Sequence, residues 1–485
     1  MTQNTQTGAS NLLTLKPLYT NALHKYAERI AINCDENTLS YRQLLDEGCR
    51  FAHGLSAVGV TANVRVALLM SNCLEYAVAD QAFFDIVVRN RDAWPELEIV
   101  IGIAPGADCP DGFEPWEEFV SGQPKTPPDV ASDPADLAVI AYTGGTTGQP
   151  KGVMLTQQSM VLNVLSHVVE MELLDDERLL LCSPLPHSAG FLMLAGLLKG
   201  ATHFVESNFL PEIVVRRIEN DGVTLTFMVP TMIYRLIDWI GDTRYNLSSL
   251  RSILYGAAPI TLPRLRQGLA LFGPVFMQIY GQTEAPNFIT RLRRQDHRPD
   301  DDTAHRLASC GQPVAMAEVR IVDTDNRTLP VGEVGELAAR TPYTMAGYHG
   351  LPDKTAETLI DGWLHTGDVA YQDADGYVYL LDRKKDMIIS GGMNVYTKEV
   401  EDAIHSCPGI SQVAVVGLED ADWGEAVTAF VVAADGVRPA ESDVIEHCRS
   451  ELSKYKRPKA VYFVDTLPLT VYGKHDKKAL RKLRP

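Results

Sequence analysis

Residues 142–152 read Tyr-Thr-Gly-Gly-Thr-Thr-Gly-Gln-Pro-Lys-Gly, and no other stretch restricts the chain's possible folds as strongly. The glycines let backbone approach a bulky anion, while the hydroxyls of Thr143, Thr146 and Thr147 and the ammonium of Lys151 supply donors and charge. A Walker A loop needs adjacent Gly-Lys followed by Ser or Thr; here Gln149 and Pro150 separate Gly148 from Lys151, and Gly152 follows. An ordinary P-loop nucleotidase is therefore excluded. A lone glycine cluster would read as a surface turn, but the apolar run Leu-Ala-Val-Ile-Ala at 137–141 makes this one a strand-to-loop junction. Beyond it Met160, Val161, Val164, Leu165, Val168 and Val169 recur at helical spacing, which predicts that the loop joins a strand to a long amphipathic helix, with phosphate near that helix's N-terminus.

Elsewhere Val- and Ile-rich runs alternate with helical patterns, the signature of α/β architecture. At 485 residues the chain exceeds one comfortable core, and with 45% apolar residues it can fill two or more. The Pro-rich stretch 121–134 reads as a surface connection. A formal charge of −18 argues against a nucleic-acid partner, the basic cluster between Lys474 and Arg484 being the one local exception. Eight cysteines without a Cys-x-x-Cys pair suit reduced thiols. With a polar N-terminus and no apolar run long enough to span a bilayer, a cytoplasmic location is expected.

Four more segments follow the loop in order: Tyr280-Gly-Gln-Thr-Glu284, Trp363-Leu-His-Thr-Gly-Asp368, Asp382-Arg-Lys-Lys-Asp386 leading into Gly391-Gly392, and Gly473-Lys474. With them the chain resembles the adenylate-forming superfamily of acyl-CoA synthetases, luciferases and peptide-synthetase adenylation domains, from about Leu39 to the C-terminus. The resemblance implies a large N-terminal domain of β-sheets flanked by helices (1–383) and a small mobile α+β domain (384–485). It also implies ATP, Mg²⁺ and coenzyme A as cofactor and substrates, a small-molecule carboxylic acid as the other substrate, and leaves room for a homodimer.

In such an enzyme a carboxylate attacks the α-phosphate of ATP, and a thiol then opens the acyl-adenylate; phosphoryl transfer of this kind demands positioning and charge neutralisation. The resemblance assigns ATP to Thr143, Gly144, Gly145, Thr146, Thr147, Gly148 and Lys151, to Gly256, Ala257 and Ala258, to Gln278, Tyr280, Gly281 and Thr283, and to Asp368, Arg383 and Lys474. Glu284 would supply a hard oxygen to Mg²⁺. Tyr280 offers a flat ring to adenine, and Asp368, exposed by a tight turn after Gly367, accepts from the ribose hydroxyls with Arg383 beside it. Lys474 would bridge the substrate carboxylate and the α-phosphate. Lys385 aligns with the family's hinge, and Gly391-Gly392 with the strand along which coenzyme A reaches the carbonyl. His187, in Pro184-Leu-Pro-His-Ser-Ala-Gly190, gates the acid pocket, for which Phe227, Gly256 and Tyr280 are also candidates.

Apolar residues near these segments (Phe227, Met228, Met232, Leu254, Ile289) point to a fatty or other apolar acid and to a carboxylate:CoA ligase. Two alternatives stand beside it: an enzyme that loads a carrier-protein thiol, and a catalytically silent nucleotide-binding protein. One place departs from the family. At Phe84-Asp85 a strand and a helix of the usual pattern, a few dozen residues, are absent. Either they are lost, or the chain as written lacks a stretch; the second is favoured, because cutting a buried strand exposes sheet edge and core.

Overall fold

A computed structural model describes residues 13–34, 37–60, 72, 101–102, 114–143, 150–434, 436–437, 439–469 and 475–483. The Phe84-Asp85 junction, residues 144–149 and Lys474 lie outside them. The architecture is α/β, with a large N-terminal domain and a smaller C-terminal one.

The largest sheet has nine strands in the order Gln312–Pro313, Ala285–Leu292, Phe276–Gln282, Ser252–Tyr255, Leu225–Met228, Arg178–Leu181, Thr202–Val205, Ile30–Cys34 and Asn37–Ser40. Its six central members run parallel. Parallel strands are covered on both faces, so they read as short continuous apolar runs, and Leu225–Met228 and Ser252–Tyr255 are buried at every residue. The helices that follow them start with proline in the first turn, where its missing N–H costs nothing: Pro211–Asp221, Pro230–Ile240 and Leu262–Phe272. Two hydrophobic clusters, one around Leu179, Leu254 and Phe288 and one around Leu180, Ile253 and Phe276, fill the opposite faces of the sheet.

A second sheet is antiparallel and holds Glu318–Val322, Gly335–Arg340, Trp363–Gln372, Leu359–Ile360 and Val378–Arg383. After Arg383 the chain leaves it. Ile388–Ser390 joins a separate five-stranded sheet with Met393–Val395, Gly424–Ala433, Ile410–Asp420 and Ala460–Phe463, which carries the helices Thr397–His405, Glu441–Glu451 and Lys477–Lys482 and has its own core.

Contrary to the strand-to-helix junction expected from the sequence, the glycine-rich loop leads from one strand into another. The strand Leu137–Thr143 pairs antiparallel with Lys151–Thr156, in register from Leu137 opposite Thr156 to Thr143 opposite Lys151. The glycine-rich loop therefore closes a β-hairpin, and the helix Gln157–Glu170 begins only after the second strand, capped by the Thr156 hydroxyl. Val153 and Leu155 alternate toward a small core with Tyr348, a period-two pattern too short to stand out beside the helix that follows. Among the described residues no helix is long and apolar enough to cross a membrane, and the six cysteines described are buried.

Candidate functional site

The N-terminal sheets and the C-terminal domain meet at one cleft lined by most of the residues named above. Thr283 and Glu284 form the two-residue turn between Phe276–Gln282 and Ala285–Leu292, Gln282 facing Ala285 across it, so both side chains stand at the tip of a hairpin. Gly281 is required just before that turn: a Cβ there would lie 2.6 Å from the Asn287 amide nitrogen and 2.8 Å from the Ala285 carbonyl oxygen. The Tyr348 hydroxyl donates to Glu284 Oε1 at 2.6 Å.

Asp368 lies 88 residues beyond Tyr280 in sequence and meets it here: the Tyr280 phenol donates to Asp368 Oδ2 at 2.5 Å. Gln282 Nε2 donates to the same oxygen at 2.9 Å, and Arg383 Nε lies 2.7 Å from Oδ1. Burial, reinforced by the Asp368 charge, drives the Tyr280 phenol upward, so it stays protonated and remains a donor. Asp368 is not on an exposed turn. It is 5% exposed and stands within the strand Trp363–Gln372, since the register shift between Glu336 and Ala338 and the left-handed Gly367 (φ 70°) are absorbed inside the ladder. A carboxylate with two oxygens has about four lone-pair sites; three protein donors leave about one, so a group that donates twice, such as a vicinal diol, would replace one of them.

Gly256, Ala257 and Ala258 follow the strand Ser252–Tyr255 at the carboxyl end of the parallel sheet, where open α/β sheets bind ligands. A Cβ on Gly256 would meet the Ile279 carbonyl oxygen at 2.4 Å. Ala257 adopts φ 64°, a left-handed conformation costly for a residue with a Cβ and therefore held by its surroundings. Gln278 accepts from the Tyr255 hydroxyl at 3.2 Å. Phe227 is 3% exposed in the first core cluster and also lines the cleft.

His187 is exposed in the turn Leu185–Ala189, where its backbone (φ −119°, ψ −146°) breaks the helical path. A buried pair missed by the sequence reading braces that turn: Asn287, itself at φ 63°, places its amide 2.8 Å from His167 Nε2 and 3.3 Å from the Ser188 carbonyl. His167 Nδ1 faces the Asn163 carbonyl at 2.8 Å and must donate to it, so Nε2 accepts from Asn287. Burial lowers the His167 pKa to about 4, which keeps the ring neutral.

Thr143 and Lys151 frame the ends of the glycine loop, and Gly144, Gly145, Thr146, Thr147 and Gly148 lie outside the described residues. Lys385 is exposed just after the second sheet ends. Gly391 and Gly392 turn the hairpin Ile388–Ser390/Met393–Val395, with Gly391 N donating to the Trp423 carbonyl at 2.8 Å. These two glycines do not line the cleft, whereas Leu469 and His475, which flank the undescribed Lys474, do. Across the junction Asp382 accepts from the Thr397 backbone N–H at 2.5 Å, while within the C-terminal domain Lys477 Nζ lies 2.8 Å from Glu401 and Arg481 pairs with Asp386 at 3.0 Å.

The family model for AMP-binding enzymes matches residues 19–89 and 87–349, and the model for the C-terminal domain of AMP-binding enzymes matches 399–474. The first model's two matches meet within a few residues of Phe84-Asp85. The chain is 41% identical to a medium/long-chain-fatty-acid–CoA ligase of Mycobacterium tuberculosis, covering 96% of this chain and 89% of that one. That alignment spans 514 positions, more than the 485 residues here, so gaps open in this chain against its relative. It is 36% identical to a feruloyl-CoA synthase of Amycolatopsis sp, over 93% of this chain and 95% of that one. Among solved structures, an amide bond synthetase from Marinactinospora thermotolerans superposes with a TM-score of 0.84 at 30% identity, covering 96% of this chain and 99% of the other.

Proposed function

The chain belongs to the AMP-binding enzyme family, and from that membership we propose how its residues activate a carboxylic acid with ATP to acyl-AMP and pass the acyl group to coenzyme A. A carboxylate oxygen bonds to the α-phosphorus as the bond to pyrophosphate breaks; the coenzyme A thiol then adds to the carbonyl, loses its proton, and AMP departs. The observation that carries the reading is the convergence of Tyr280, Gln282 and Arg383 on the buried Asp368, beside the hairpin tip that presents Thr283 and Glu284.

Asp368 holds the ribose diol, with Arg383 and the Tyr280 hydroxyl fixing its carboxylate. Gly256 to Ala258 and the Tyr280 ring bound the adenine, and the 143–151 loop takes the β- and γ-phosphates. Thr283 donates to the α-phosphate. Glu284 fits Mg²⁺: that ion takes one or two protein carboxylates together with phosphate oxygens and water, and among the described residues no group of three or more His, Cys, Asp or Glu converges as an all-protein cage would require. When bound there, Mg²⁺ neutralises charge on the departing pyrophosphate. Lys474 neutralises charge at the α-phosphate during the first step, and the flanking Leu469 and His475 at the cleft support a domain orientation suited to it. Rotation about Lys385, with the boundary after Arg383, then withdraws that loop and brings Gly391-Gly392 to the cleft for thiolation.

The acid is fatty or otherwise apolar, since Phe227, Met232 and Leu197 line the same cleft as Gly256 and His187. A panel of short, medium and long aliphatic acids and aryl acids, assayed with ATP and coenzyme A for AMP and thioester, tests this. Turnover confined to polar or amino acids would overturn the acid class; AMP release without thioester would overturn the acceptor.

A further inference from the structure

The segment 345–349 lies between the glycine-loop hairpin and the Glu284 turn and is tied to both. Met345 N donates to the Glu284 carbonyl at 2.8 Å, Ala346 N to the Met154 carbonyl at 2.8 Å, and His349 N to the Gly152 carbonyl at 2.7 Å. Gly347–Tyr348 pairs antiparallel with Met154 and Val153 on the strand that begins at Lys151. From this strap the Tyr348 side chain, 3% exposed, reaches two groups at once: its hydroxyl donates to Glu284 Oε1 at 2.6 Å, and the Lys151 ammonium sits 4.1 Å from its ring centroid.

We propose that Tyr348 is the residue that positions the nucleotide's metal carboxylate relative to its phosphate loop, its hydroxyl fixing Glu284 and its ring fixing Lys151. The inference rests on the reading of Glu284 as the Mg²⁺ ligand. A glutamate at the tip of a two-residue turn has three side-chain torsions to lose on binding a cation. Pinning Oε1 removes most of that freedom beforehand and leaves the lone pairs of Oε2 for the ion. Such partners of metal-binding carboxylates change metal affinity by about 10- to 100-fold when removed. The ring does the same for Lys151 by a cation–π contact that leaves the ammonium's three donors available. Because one backbone strap carries both, the distance between ammonium and carboxylate is set before nucleotide arrives.

Tyr348→Phe keeps the ring and its packing and deletes only the hydroxyl. In Mn²⁺ titrations of the full-length protein with a non-hydrolysable α,β-methylene ATP, followed by electron paramagnetic resonance, this variant should bind the ion about 10-fold more weakly. Binding of the same nucleotide in EDTA should be unchanged. Tyr348→Leu, which also removes the ring, should weaken the metal-free nucleotide as well. Glu284→Gln is the control for the underlying reading. If it weakens Mn²⁺ while Tyr348→Phe does not, the positioning role is refuted and the reading of Glu284 stands; if neither weakens Mn²⁺, that reading falls and the inference with it. Equal weakening by Tyr348→Phe with and without metal would mark a purely structural tyrosine and also overturn the proposal.

Discussion

Replacing Asp368 by Asn tests the ribose assignment without opening a cavity. Three donors converge on this carboxylate: Arg383 Nε at 2.7 Å, the Tyr280 phenol at 2.5 Å and Gln282 Nε2 at 2.9 Å. The amide has one acceptor oxygen, and its NH₂ must face at least one of those donors. That mismatch costs about 1–3 kcal/mol, while the lost charge opposite the 44%-exposed Arg383 side chain adds about 0.5–1 kcal/mol after solvent screening. Unfolding in denaturant should therefore show a loss of about 2–3 kcal/mol, the middle of that range, in a protein that still folds. Function should suffer more selectively. A hydrogen bond from a ribose hydroxyl to a charged acceptor is worth about 1.5–3 kcal/mol, and Asn keeps one of the two, so the ATP dissociation constant should rise about 10- to 150-fold. The apparent affinity for the acid should move far less, because the residues proposed for the acid pocket do not include Asp368. Calorimetric titration with ATP and steady-state kinetics with varied acid measure the two separately. Unchanged ATP affinity in the folded variant, or an equal loss for both substrates, would refute the placement.

Lys474→Ala should lose acid-dependent pyrophosphate exchange yet still turn supplied acyl-adenylate and coenzyme A into thioester, whereas Lys385→Pro, which fixes φ at the hinge, should spare adenylation and slow thioester formation; equal loss of both half-reactions in Lys474→Ala would refute domain alternation. Burial lowers the pKa of His167, His203 and His297 to about 4 each, below the unfolded value of about 6.5. The unfolded chain therefore binds more protons between those values, so stability is present above pH 6.5 and is lost on acidification, by about 2 kcal/mol per ring at pH 5; denaturant unfolding at pH 5 and pH 7.5 measures this, and His167→Gln should flatten the slope. Gly281→Ala places a methyl against the Asn287 and Ala285 backbones, so it should displace the Thr283-Glu284 turn and lower kcat with little change in acid KM; wild-type kinetics would show that the turn tolerates the shift.

The sequence alone determined which chemistries the chain could host and in what order. A glycine-hydroxyl loop after an apolar run, Tyr-Gly-x-Thr-Glu, Thr-Gly-Asp and a terminal Gly-Lys are local patterns, and local patterns are legible because residue type and spacing suffice to state them. The alternation of apolar runs with helical patterns announces α/β architecture for the same reason, whereas the parallel pairing of Leu225–Met228 and Ser252–Tyr255, buried on both faces, is a finding of the structure. Tertiary structure decided what those patterns touch. From sequence Tyr280 is an adenine platform, yet its phenol also holds Asp368; Glu284 is an oxygen for Mg²⁺, yet Tyr348 from 64 residues away fixes it; Asn287 and His167, 120 residues apart, brace the His187 turn. No propensity encodes such pairs, because they depend on which sheet edges meet and in what register. The loop was placed before a helix because a long 3.6-residue period outweighs a six-residue strand in any window, and only pairing with Leu137–Thr143 and Gly347–Tyr348 makes Lys151–Thr156 a strand. Thr-Gly-Asp is turn-like in isolation, so sequence puts Asp368 on an exposed turn; the neighbouring strands Gly335–Arg340 and Val378–Arg383 absorb the glycine as a ladder irregularity and bury the carboxylate in the cleft wall.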